Sequence, residues 1–449
     1  MRHLLCDSDT IAHSAFASLA SQGRCYSERP VESADVVICG AGMAGVAAAY
    51  HLAVRSGVRD VVLIDEREPL TLTSNKGTEA YRNWWPGPDD TMLRFMSRSI
   101  DLLEELAGQC ENEFQLNRRG YVFLTARPDE ARRLEESAEA ICALGAGELR
   151  RQYASNQADG ADWVTDPGII RTNFPFITPD AIAMLHARRC GWLSAWRLGR
   201  WLLAQAQAAG VRVWRDRVQG VRLTGGRVGA VTLRSGEEIA TGALVLAPGP
   251  YLKEAGRMLG VELPVFNERH GKAAFADPLG IIPRDAPLMI WNDPLGELPA
   301  GVHFRTRQDD GKPVILIIWT YDVKPGEVVI PPVFEPEYAE TLLRGLARMV
   351  PGLAAYFGQG SFAVVDGGYY CKTPENRPLI GPLPVAGAFV IGALSGFGVM
   401  GSQAAGELLA AHITGTRLPG YAPAFLPNRY EDAVYRARLP ELIAAQGQL

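Results

Sequence analysis

Apolar runs of strand length alternate along the chain with glycine turns and with segments of helical composition. Residues 36–39 form a short apolar run rich in valine and isoleucine, and glycines at positions 40, 42 and 45 follow it directly. Residues 44–54 are rich in alanine and predict a helix that ends before Gly57, and residues 60–65 are a second apolar run that closes on an acid. Strand, glycine turn, helix and strand within about thirty residues predict a βαβ unit.

The same patterns predict further elements along the chain. Helices are expected at residues 92–107, 130–144, 198–209, 338–349 and 403–412. Strands are expected at residues 121–125, 211–214, 218–223, 228–233, 238–246, 314–320 and 388–392. Glycine turns join the strands between residues 218 and 246 and predict a β-meander. The layout indicates an N-terminal fold that a β-rich lobe interrupts and the C-terminal segment completes.

Composition limits the classes of function that fit this pattern. At 449 residues the chain is too long for one ordinary core, so two or three lobes are expected. Its 47% hydrophobic and 21% charged residues are typical of a globular protein, and its net charge of −5 argues against nucleic-acid binding. No apolar run reaches the roughly 18 residues that a membrane-spanning helix needs.

Cysteine and histidine usage indicates neither a disulfide framework nor a metal site. Seven cysteines are scattered without CxxC spacing, which is typical of reduced intracellular thiols, and the seven histidines are isolated. The N-terminus carries acids and lacks a continuous apolar segment, so a cytoplasmic location is expected. Residues 1–32 precede the first strand and are interpreted as an N-terminal extension.

Each glycine of the motif at residues 40–45 has a distinct physical role. Gly40 permits the tight turn after the strand, Gly42 removes a side chain so that a pyrophosphate can approach, and Gly45 lets helix and strand pack closely. Met43 and Ala44 begin the helix, whose unpaired N–H groups and partial positive charge favour a phosphate. The motif therefore predicts a phosphate-binding turn, against the alternative of a strand-to-helix turn without a ligand.

The acid at the end of the second strand narrows the range of ligands that the glycine motif is expected to bind. Asp65 follows the glycine motif at the spacing at which a dinucleotide fold accepts a hydrogen bond from a ribose 2′-OH. A carboxylate there also repels a 2′-phosphate. At this point NAD and FAD both fit.

Four sequence segments further along the chain give additional evidence about the cofactor. Residues 71–82 form a polar loop that leads into NWWPG, residues 242–250 read GALVLAPGP, residues 372–382 read KTPENRPLIGP, and residues 395–406 read SGFGVMGSQAAG. In order and spacing these blocks resemble the D-amino-acid oxidase superfamily, the group of flavoproteins that contains glycine oxidase, sarcosine oxidase and dimethylglycine dehydrogenase. Together with the glycine motif, these blocks are distributed along the chain from residue 35 to about 415. The resemblance implies FAD as the cofactor.

The resemblance also implies a fold and a domain order. We expect an α/β (α+β) protein with a Rossmann-like FAD-binding domain and an interleaved antiparallel-sheet substrate domain. The FAD-binding domain is expected at residues 33–110, 165–261 and 361–449, and the substrate-binding domain at residues 111–164 and 262–360. Besides the glycine motif and Asp65, the expected FAD contacts are Glu66, Thr73, Ser74, Lys76, Gly77, Val218, Pro248, Gly249, Gly396, Phe397, Gly398, Val399 and Met400.

Substrate residues are also assigned by resemblance. Arg82 occupies the position of a carboxylate-binding arginine of the sarcosine oxidase group, with a surface or phosphate-facing arginine as the alternative. Tyr370 matches a tyrosine that lines the substrate pocket, or else is a core aromatic. Met400 stands where that group has a second carboxylate-binding lysine, which argues against simple sarcosine specificity. Trp84 and Trp85 either wall an apolar pocket or pack in the core.

Three cationic residues are candidates for the flavin environment. His270 and Lys272 lie where the substrate domain begins, and Lys272 is a candidate oxygen-activating group. Lys372 is a second candidate for a cation beside the flavin ring. For each lysine the alternative is an ordinary solvated side chain.

The resemblance further predicts that FAD is bound non-covalently. Gly368 occupies the position of the cysteine that anchors FAD in sarcosine oxidases, and Cys371 is out of that register. The loop at residues 71–82 lacks the histidine that dimethylglycine dehydrogenases use.

The predicted function is oxidation of the C–N bond of an amino acid or N-substituted glycine. Hydride passes to flavin N5, the imine hydrolyses, and O2 is reduced to H2O2. The alternatives are an amine or 2-hydroxy-acid dehydrogenase that passes electrons to a carrier, and a flavin-binding subunit of a hetero-oligomer. The expected partners are a small amine or amino-acid substrate and O2, with no nucleic acid, membrane or metal, and a homo-oligomer is left open.

Overall fold

The computed structural model describes residues 33–154, 156–309 and 311–445, and the predicted N-terminal extension lies outside these residues. The first twelve strands are β1 Ser33–Cys39, β2 Val61–Asp65, β3 Ala80–Arg82, β4 Tyr121–Thr125, β5 Leu149–Arg150, β6 Ala161–Val164, β7 Ala183–Ala187, β8 Cys190–Trp192, β9 Arg212–Arg215, β10 Val218–Thr224, β11 Arg227–Leu233 and β12 Glu238–Leu246. The others are β13 Phe266–Ala276, β14 Leu288–Trp291, β15 Val302–Asp309, β16 Lys312–Ile318, β17 Val364–Lys372, β18 Leu379–Pro382 and β19 Ala388–Gly392.

Six of the α-helices in the described residues overlap segments that the sequence predicted to be helical, and those at residues 167–173, 252–257 and 433–444 were not predicted. The α-helices are α1 Met43–Tyr50, α2 Thr91–Gln109, α3 Pro128–Ile141, α4 Pro167–Asn173, α5 Ala195–Ala208, α6 Leu252–Arg257, α7 Tyr338–Leu346, α8 Gly398–Thr414 and α9 Ala433–Ala444. A π-helical turn at His51–Arg55 continues α1. Within the residues described, no helix is long and apolar enough to cross a membrane.

The predicted βαβ unit forms the centre of an eight-stranded sheet. Strand β1 pairs in parallel with β2 on one side and with β12 on the other, and β9 and β19 extend the parallel set. The predicted meander is present as β10, β11 and β12, which pair antiparallel. Because β1, β2 and β12 run in the same direction, their carboxyl ends meet at one edge, where parallel sheets usually bind ligands.

A nine-stranded sheet forms the second layer, in the order β17-β13-β16-β15-β14-β4-β7-β6-β5. Most of its pairs are antiparallel, although β4 pairs in parallel with β14 and β5 with β6. Strands β7 and β17 belong to this sheet, whereas the sequence placed their residues in the FAD-binding segments. We therefore propose the predicted domain division with β7 and β17 moved to the substrate side.

Several hydrophobic cores in the described residues support the two sheets. One core packs α1, α2, α5 and α8 on a face of the eight-stranded sheet, and a smaller one fills its other face. A third core packs α7 and α4 on the nine-stranded sheet. Residues of β4, β6, β7 and β14 also belong to the first core, so this core joins the two sheets.

Helix α8 begins five residues earlier than the pattern predicted, at Gly398. Glycines lower helix propensity, so a start after Gly401 was expected. In the structure these glycines allow close packing, because a Cβ on Gly406 would lie 2.9 Å from the Ala47 carbonyl oxygen of α1, and one on Gly401 would lie 3.1 Å from Phe95 of α2. Tertiary packing thus overrides helix propensity. It places the N-terminus of α8 at the carboxyl ends of the parallel strands of the eight-stranded sheet.

Candidate active site

The first and third glycines of the motif are required by close backbone contacts. Gly40 has φ of +109°, and a Cβ on it would lie 2.4 Å from the Ala247 carbonyl oxygen. A Cβ on Gly45 would lie 1.9 Å from the carbonyl oxygen of Gly40. A side chain at either position would push β1, β12 and α1 apart, so both glycines hold the turn in place.

Polar contacts join the turn to the acid and to the following loop. The Ala41 N–H donates to Asp65 Oδ2 at 2.7 Å, and the Arg67 N–H donates to Asp65 Oδ1 at 2.9 Å. The Met43 N–H donates to Ser74 Oγ at 2.9 Å. Burial raises the pKa of Asp65, and these two backbone hydrogen bonds partly oppose the rise. Asp65 therefore lies at the glycine turn, as the spacing predicted.

A cleft of about 950 Å³ opens at the carboxyl ends of the parallel strands, and we call it the cofactor cleft. Four chain segments form it, at residues 40–44, 72–80, 247–250 and 391–399, together with Asp65 and residues 369–371. The predicted FAD residues that line it are Gly40, Gly42, Met43, Ala44, Asp65, Thr73, Ser74, Gly77, Pro248, Gly249, Gly396, Gly398 and Val399.

A second space of about 1450 Å³ continues the cofactor cleft outward past Asp65. Glu66 and Val218 line this outer part, and Glu66 is ion-paired with Arg234 at 3.1 Å. Lys76 is placed differently from the prediction, because its Nζ pairs with the Asp366 carboxylate at 2.8 Å and it lines neither part. The cleft and its outer part together give an elongated space suited to a dinucleotide.

The C-terminal wall of the cofactor cleft is made of constrained backbone. Ala393 and Ser395 adopt φ of 51° and 50°, which is unusual for residues other than glycine. The 3₁₀ turn Ser395–Phe397 then leads directly into α8. Two helix N-termini, those of α1 and α8, therefore border one cleft and favour a negatively charged group there.

A separate cavity of about 550 Å³ adjoins the cleft, and we call it the substrate cavity. It shares Tyr370 and Gly396 with the cofactor cleft, so the two spaces meet at these residues. Its lining consists of Thr78, Arg82, Trp85, Tyr121, His270, Leu288, His303, Ile318, Thr320, Tyr370, Gly396, Phe397 and Met400. Phe397 and Met400, predicted as cofactor contacts, thus line the substrate cavity.

Arg82 brings a positive charge into this cavity. Its guanidinium lies 4.7 Å from the centre of the Trp85 ring, and burial lowers its pKa. The Trp85 indole N–H donates to the Arg82 carbonyl oxygen at 3.2 Å, and its ring meets Phe397 edge-on at 5.1 Å. No carboxylate is among the residues that line the cavity in the described chain. Trp84 and Trp85 are both buried in the same core, and of the two only Trp85 lines the cavity.

His270 and Tyr370 form one wall of the substrate cavity. Their rings stack with centroids 4.0 Å apart and an interplanar angle of 19°. His270 Nε2 lies 3.3 Å from Glu268 Oε2, which also accepts from Lys372 Nζ at 2.9 Å. Burial raises the pKa of Tyr370 to about 12, so its phenol is neutral at physiological pH. Lys372 is thus paired with Glu268 and is not a solvated side chain.

Lys272 holds the polar loop. Its Nζ donates to the Asn75 carbonyl oxygen at 3.0 Å and to the Gly77 carbonyl oxygen at 3.4 Å. Burial lowers its pKa to about 8. Lys272 lines neither the cofactor cleft nor the substrate cavity, and it reaches the cleft through the backbone of Gly77.

Several residues of the substrate cavity were not predicted from the sequence. His303 accompanies Arg82 there, and its Nδ1 pairs with the Gly301 carbonyl oxygen at 2.8 Å. Burial lowers the pKa of His303 to about 4. Glu268 was also missed, although it alternates with His270 and Lys272 along β13, a spacing that puts all three side chains on one face of the strand.

The cysteine that lines the cofactor cleft, Cys371, has a neutral thiol. Burial raises its pKa to about 12. At Gly368 a Cβ would lie 3.2 Å from Thr73. In the residues described, no group of three or more His, Cys, Asp or Glu side chains could hold a metal ion.

Comparison with known proteins identifies relatives that cover most of this chain. Human mitochondrial dimethylglycine dehydrogenase is 23% identical over 418 residues, which cover 89% of this chain and 44% of that protein. This chain therefore spans less than half the length of that relative. The structure of L-proline dehydrogenase from P. horikoshii has a TM-score of 0.71 at 21% identity and covers 89% of this chain and 98% of that one. Iminodiacetate oxidase from Chelativorans sp. BNC1 has a TM-score of 0.70 at 23% identity and covers 87% and 98%.

These structural likenesses confirm the predicted fold class. The residues of the cofactor cleft also fit FAD, since two glycines exclude side chains from the turn and two helix N-termini border the space. The sequence model of the DAO family, described as FAD dependent oxidoreductase, matches residues 35–412. This chain belongs to that family of FAD-dependent oxidoreductases.

Proposed function

We propose that this protein oxidises the C–N bond of an amino acid or N-substituted glycine and passes the electrons to O2, giving H2O2. The observation that carries this proposal is the position of Arg82, whose side chain lines a cavity that meets the cofactor cleft. The names of the relatives support it, since proline, iminodiacetate and dimethylglycine each have a nitrogen one carbon away from a carboxylate.

Arg82 binds the substrate carboxylate in this proposal. A guanidinium forms two parallel hydrogen bonds with a carboxylate, and such charge-assisted pairs are strong in a buried site. Trp85 and Phe397 pack beside it and keep water away. A substrate held in this way extends towards Tyr370 and Gly396, where the cavity meets the cofactor cleft.

FAD, when bound, supplies the acceptor for the hydride that leaves the carbon next to nitrogen. The residues of the chain orient that carbon, and the resulting imine is hydrolysed by water to an oxo acid or aldehyde and an amine or ammonia. Leu288, Ile318 and Met400 add apolar surface to the cavity, which favours a substrate bulkier than sarcosine. Met400 in particular offers a thioether in place of a second cation.

An anaerobic screen of amino acids and N-alkyl glycines tests this function. The expected result is bleaching of the flavin absorbance by at least one carboxylate-bearing amine, with weaker bleaching by the same amine lacking its carboxylate. Bleaching only by 2-hydroxy acids would overturn the C–N assignment. A yellow protein that no substrate bleaches would favour the flavin-binding subunit.

The electron acceptor is tested separately. Two of the relatives are named dehydrogenases, which favours a carrier protein or quinone as the second candidate. Peroxide formed in air in proportion to substrate consumed would support O2. Slow reoxidation in air together with fast reoxidation by an artificial dye would support the dehydrogenase.

Non-covalent attachment of FAD is also proposed. The raised pKa of Cys371 supports it, because the neutral thiol is a poor nucleophile. Yellow colour that stays with the denatured chain during gel filtration would contradict it. Cytoplasmic location and self-association stay predictions.

A further inference from the structure

A short segment, residues 77–82, lies between the cofactor cleft and the substrate cavity. The cleft is lined by Gly77, Glu79 and Ala80, and the cavity by Thr78 and Arg82. The last three residues of the segment form β3, which pairs antiparallel with β8. The conformation of the backbone just before β3 therefore sets where the Arg82 guanidinium lies.

Glu79 adopts an unusual backbone conformation immediately before β3. Its φ is +57°, a left-handed value that is sterically unfavourable for a residue other than glycine. Such a conformation persists only where the surrounding contacts fix it. The Glu79 carbonyl oxygen accepts from the Leu193 N–H at 3.0 Å, and Oε1 of its carboxylate accepts from the Ala195 N–H at 3.1 Å. The residues that lead into α5 therefore hold one side of Glu79.

Arg305 of β15 holds the other side of Glu79. Its Nη2 is ion-paired with Glu79 Oε2, and its Nε donates to the Thr78 carbonyl oxygen at 2.5 Å. The side chains of Arg305 and Glu79 are only 3% and 11% exposed, so salt and water screen the pair little. Strand β15 belongs to the nine-stranded sheet, whereas α5 packs on the eight-stranded one. The Glu79 carboxylate is thus held from both layers of the molecule.

The burial of this ion pair indicates a role in geometry more than in stability. Removing two charges from water costs free energy that offsets much of their attraction, so apolar residues of similar volume are often as stabilising as a buried ion pair. The better attested role of such a pair is to select one arrangement of the chain. Here it fixes the backbone of Thr78 and the side chain of Glu79, four and three residues before Arg82.

We infer that Glu79 and Arg305 are positioning residues that hold the Arg82 guanidinium where it meets the substrate carboxylate. This inference rests on the proposed function, in which Arg82 binds that carboxylate. Neither Glu79 nor Arg305 is among the described residues that line the substrate cavity, so both act through the backbone of residues 78–82. Two parallel hydrogen bonds to a carboxylate require a fixed guanidinium plane, and a displacement of about 1 Å can lower a rate by on the order of 10²-fold.

The test compares kcat/KM, per bound flavin, for two probes. One is the amino acid that bleaches the flavin fastest in the anaerobic screen, and the other is the same amine without its carboxylate. The ratio of the two values measures the preference for a carboxylate. Glu79→Gln keeps the size of the side chain but removes the charge that pairs with Arg305, so it should lower this ratio by on the order of 10 to 10²-fold. Arg305→Lys keeps the charge but not the planar fork and should give a smaller loss.

A double-mutant comparison distinguishes action through Arg82 from a general structural effect. If Glu79 positions Arg82, Glu79→Gln should lower kcat/KM for the amino acid in the wild type but not in Arg82→Met, because the group that it positions is gone. Arg150→Gln is the matched control, since Arg150 forms a buried ion pair with Asp162 at 2.6 Å elsewhere in the nine-stranded sheet. This control should lower the midpoint of thermal unfolding and leave the preference for a carboxylate unchanged.

The outcomes separate the inference from the proposed function. If no amine bleaches the wild type, or if Arg82→Met leaves the preference for a carboxylate unchanged, the proposed role of Arg82 falls and the inference falls with it. If Arg82→Met lowers that preference but Glu79→Gln does not, or if the two losses multiply in the double variant, only the inference falls. Flavin content and the midpoint of thermal unfolding are measured for each variant. Arg305→Lys, alone and combined with Arg82→Met, replaces Glu79→Gln if the latter does not retain FAD.

Discussion

The cofactor cleft and the substrate cavity are adjacent but are built from different parts of the chain. The cleft is lined largely by four short contiguous segments, which include Gly40, Gly249 and Gly396. The substrate cavity is lined by side chains from many elements, among them Arg82 on β3 and His303 on β15. A site built from short contiguous segments depends on local conformation, whereas a site built from single side chains of many elements depends on how distant strands are ordered in a sheet.

The largest effect is expected from a side chain added at the glycine turn that borders the cofactor cleft. Gly45→Ala places a Cβ 1.9 Å from the carbonyl oxygen of Gly40, and no side-chain movement can relieve a clash with backbone. We expect the purified protein to lose nearly all of its flavin, even though alanine favours a helix by about 1 kcal/mol over glycine. The ratio of flavin to protein absorbance measures this loss.

Gly108→Ala is the matched control for that substitution. Gly108 also lies in a helix, α2, and a Cβ there meets nothing within 4 Å. This variant should keep its full flavin content and gain up to about 1 kcal/mol in the free energy of unfolding. Equal flavin content in the two variants would show that the glycine turn does not determine cofactor binding.

The next largest effect is expected from Arg82 in the side-chain site. Removing one partner of a buried charge pair costs about 2–5 kcal/mol, so Arg82→Met should lower kcat/KM for an amino acid by on the order of 10² to 10³. An amine of the same size without a carboxylate should be affected far less. Flavin content should stay unchanged, because Arg82 does not line the cofactor cleft.

Arg82→Lys serves as the conservative control. It keeps the charge but not the planar fork, and an intermediate loss is expected. An equal loss for both amines in Arg82→Met would show that Arg82 acts on the packing of Trp85 and not on the carboxylate.

The difference between local segments and distant side chains also explains which site residues could be predicted from the sequence. The glycine motif and Asp65 were identified because they lie within one short stretch of sequence, whereas Thr73 and Ser74 were assigned by resemblance. The structure gathers Gly40, Gly42, Asp65, Thr73 and Ser74 in one cleft. His303 is isolated in the sequence, and nothing near it indicates that β15 lies next to β14 and β16. Lys76 was predicted by its place in the polar loop, yet Asp366 on β17, 290 residues away, determines where it lies.

Glu268 is an intermediate case. The alternation of Glu268, His270 and Lys272 predicts a shared face once β13 is recognised as a strand. Its pairing with Lys372 depends on the register between β13 and β17, which places Glu268 opposite Tyr370. Residue chemistry and local spacing could therefore have indicated Glu268, but not the lysine that holds it.

A smaller effect is expected when the acid of the cofactor cleft is neutralised. Asp65 accepts from the N–H groups of Ala41 and Arg67. An asparagine offers one acceptor oxygen, so Asp65→Asn leaves one donor without its partner and should weaken FAD binding about tenfold, or roughly 1.4 kcal/mol. Titration of the apoprotein with FAD measures the change, and unaltered affinity would show that the carboxylate only supports the loop.

The smallest effect is expected at Lys272, which connects the nine-stranded sheet with the polar loop beside the cofactor cleft. Its side chain comes from the nine-stranded sheet, and it holds the backbone carbonyls of Asn75 and Gly77 beside the cofactor cleft. Its pKa is about 8 in the folded protein, against an ordinary value of 10.5. Between these values the unfolded chain binds more protons than the folded one, so stability rises with pH. From pH 8 to pH 9 the free energy of unfolding should rise by about 1 kcal/mol in the wild type relative to Lys272→Met.

The same variant separates two roles for Lys272. If Lys272 only holds the loop, Lys272→Met should lower flavin content and stability while the rate of reoxidation by O2 per bound flavin stays unchanged. If it activates oxygen, reoxidation should slow even in molecules that retain FAD. Chemical denaturation at pH 8 and pH 9 tests the first role, and stopped-flow reoxidation of the reduced protein tests the second. Lys272 lines neither the cofactor cleft nor the substrate cavity, and it donates to the carbonyl oxygens of Asn75 and Gly77. We therefore expect unchanged reoxidation per bound flavin, which would mean that Lys272 affects the cofactor cleft only through the backbone of the polar loop.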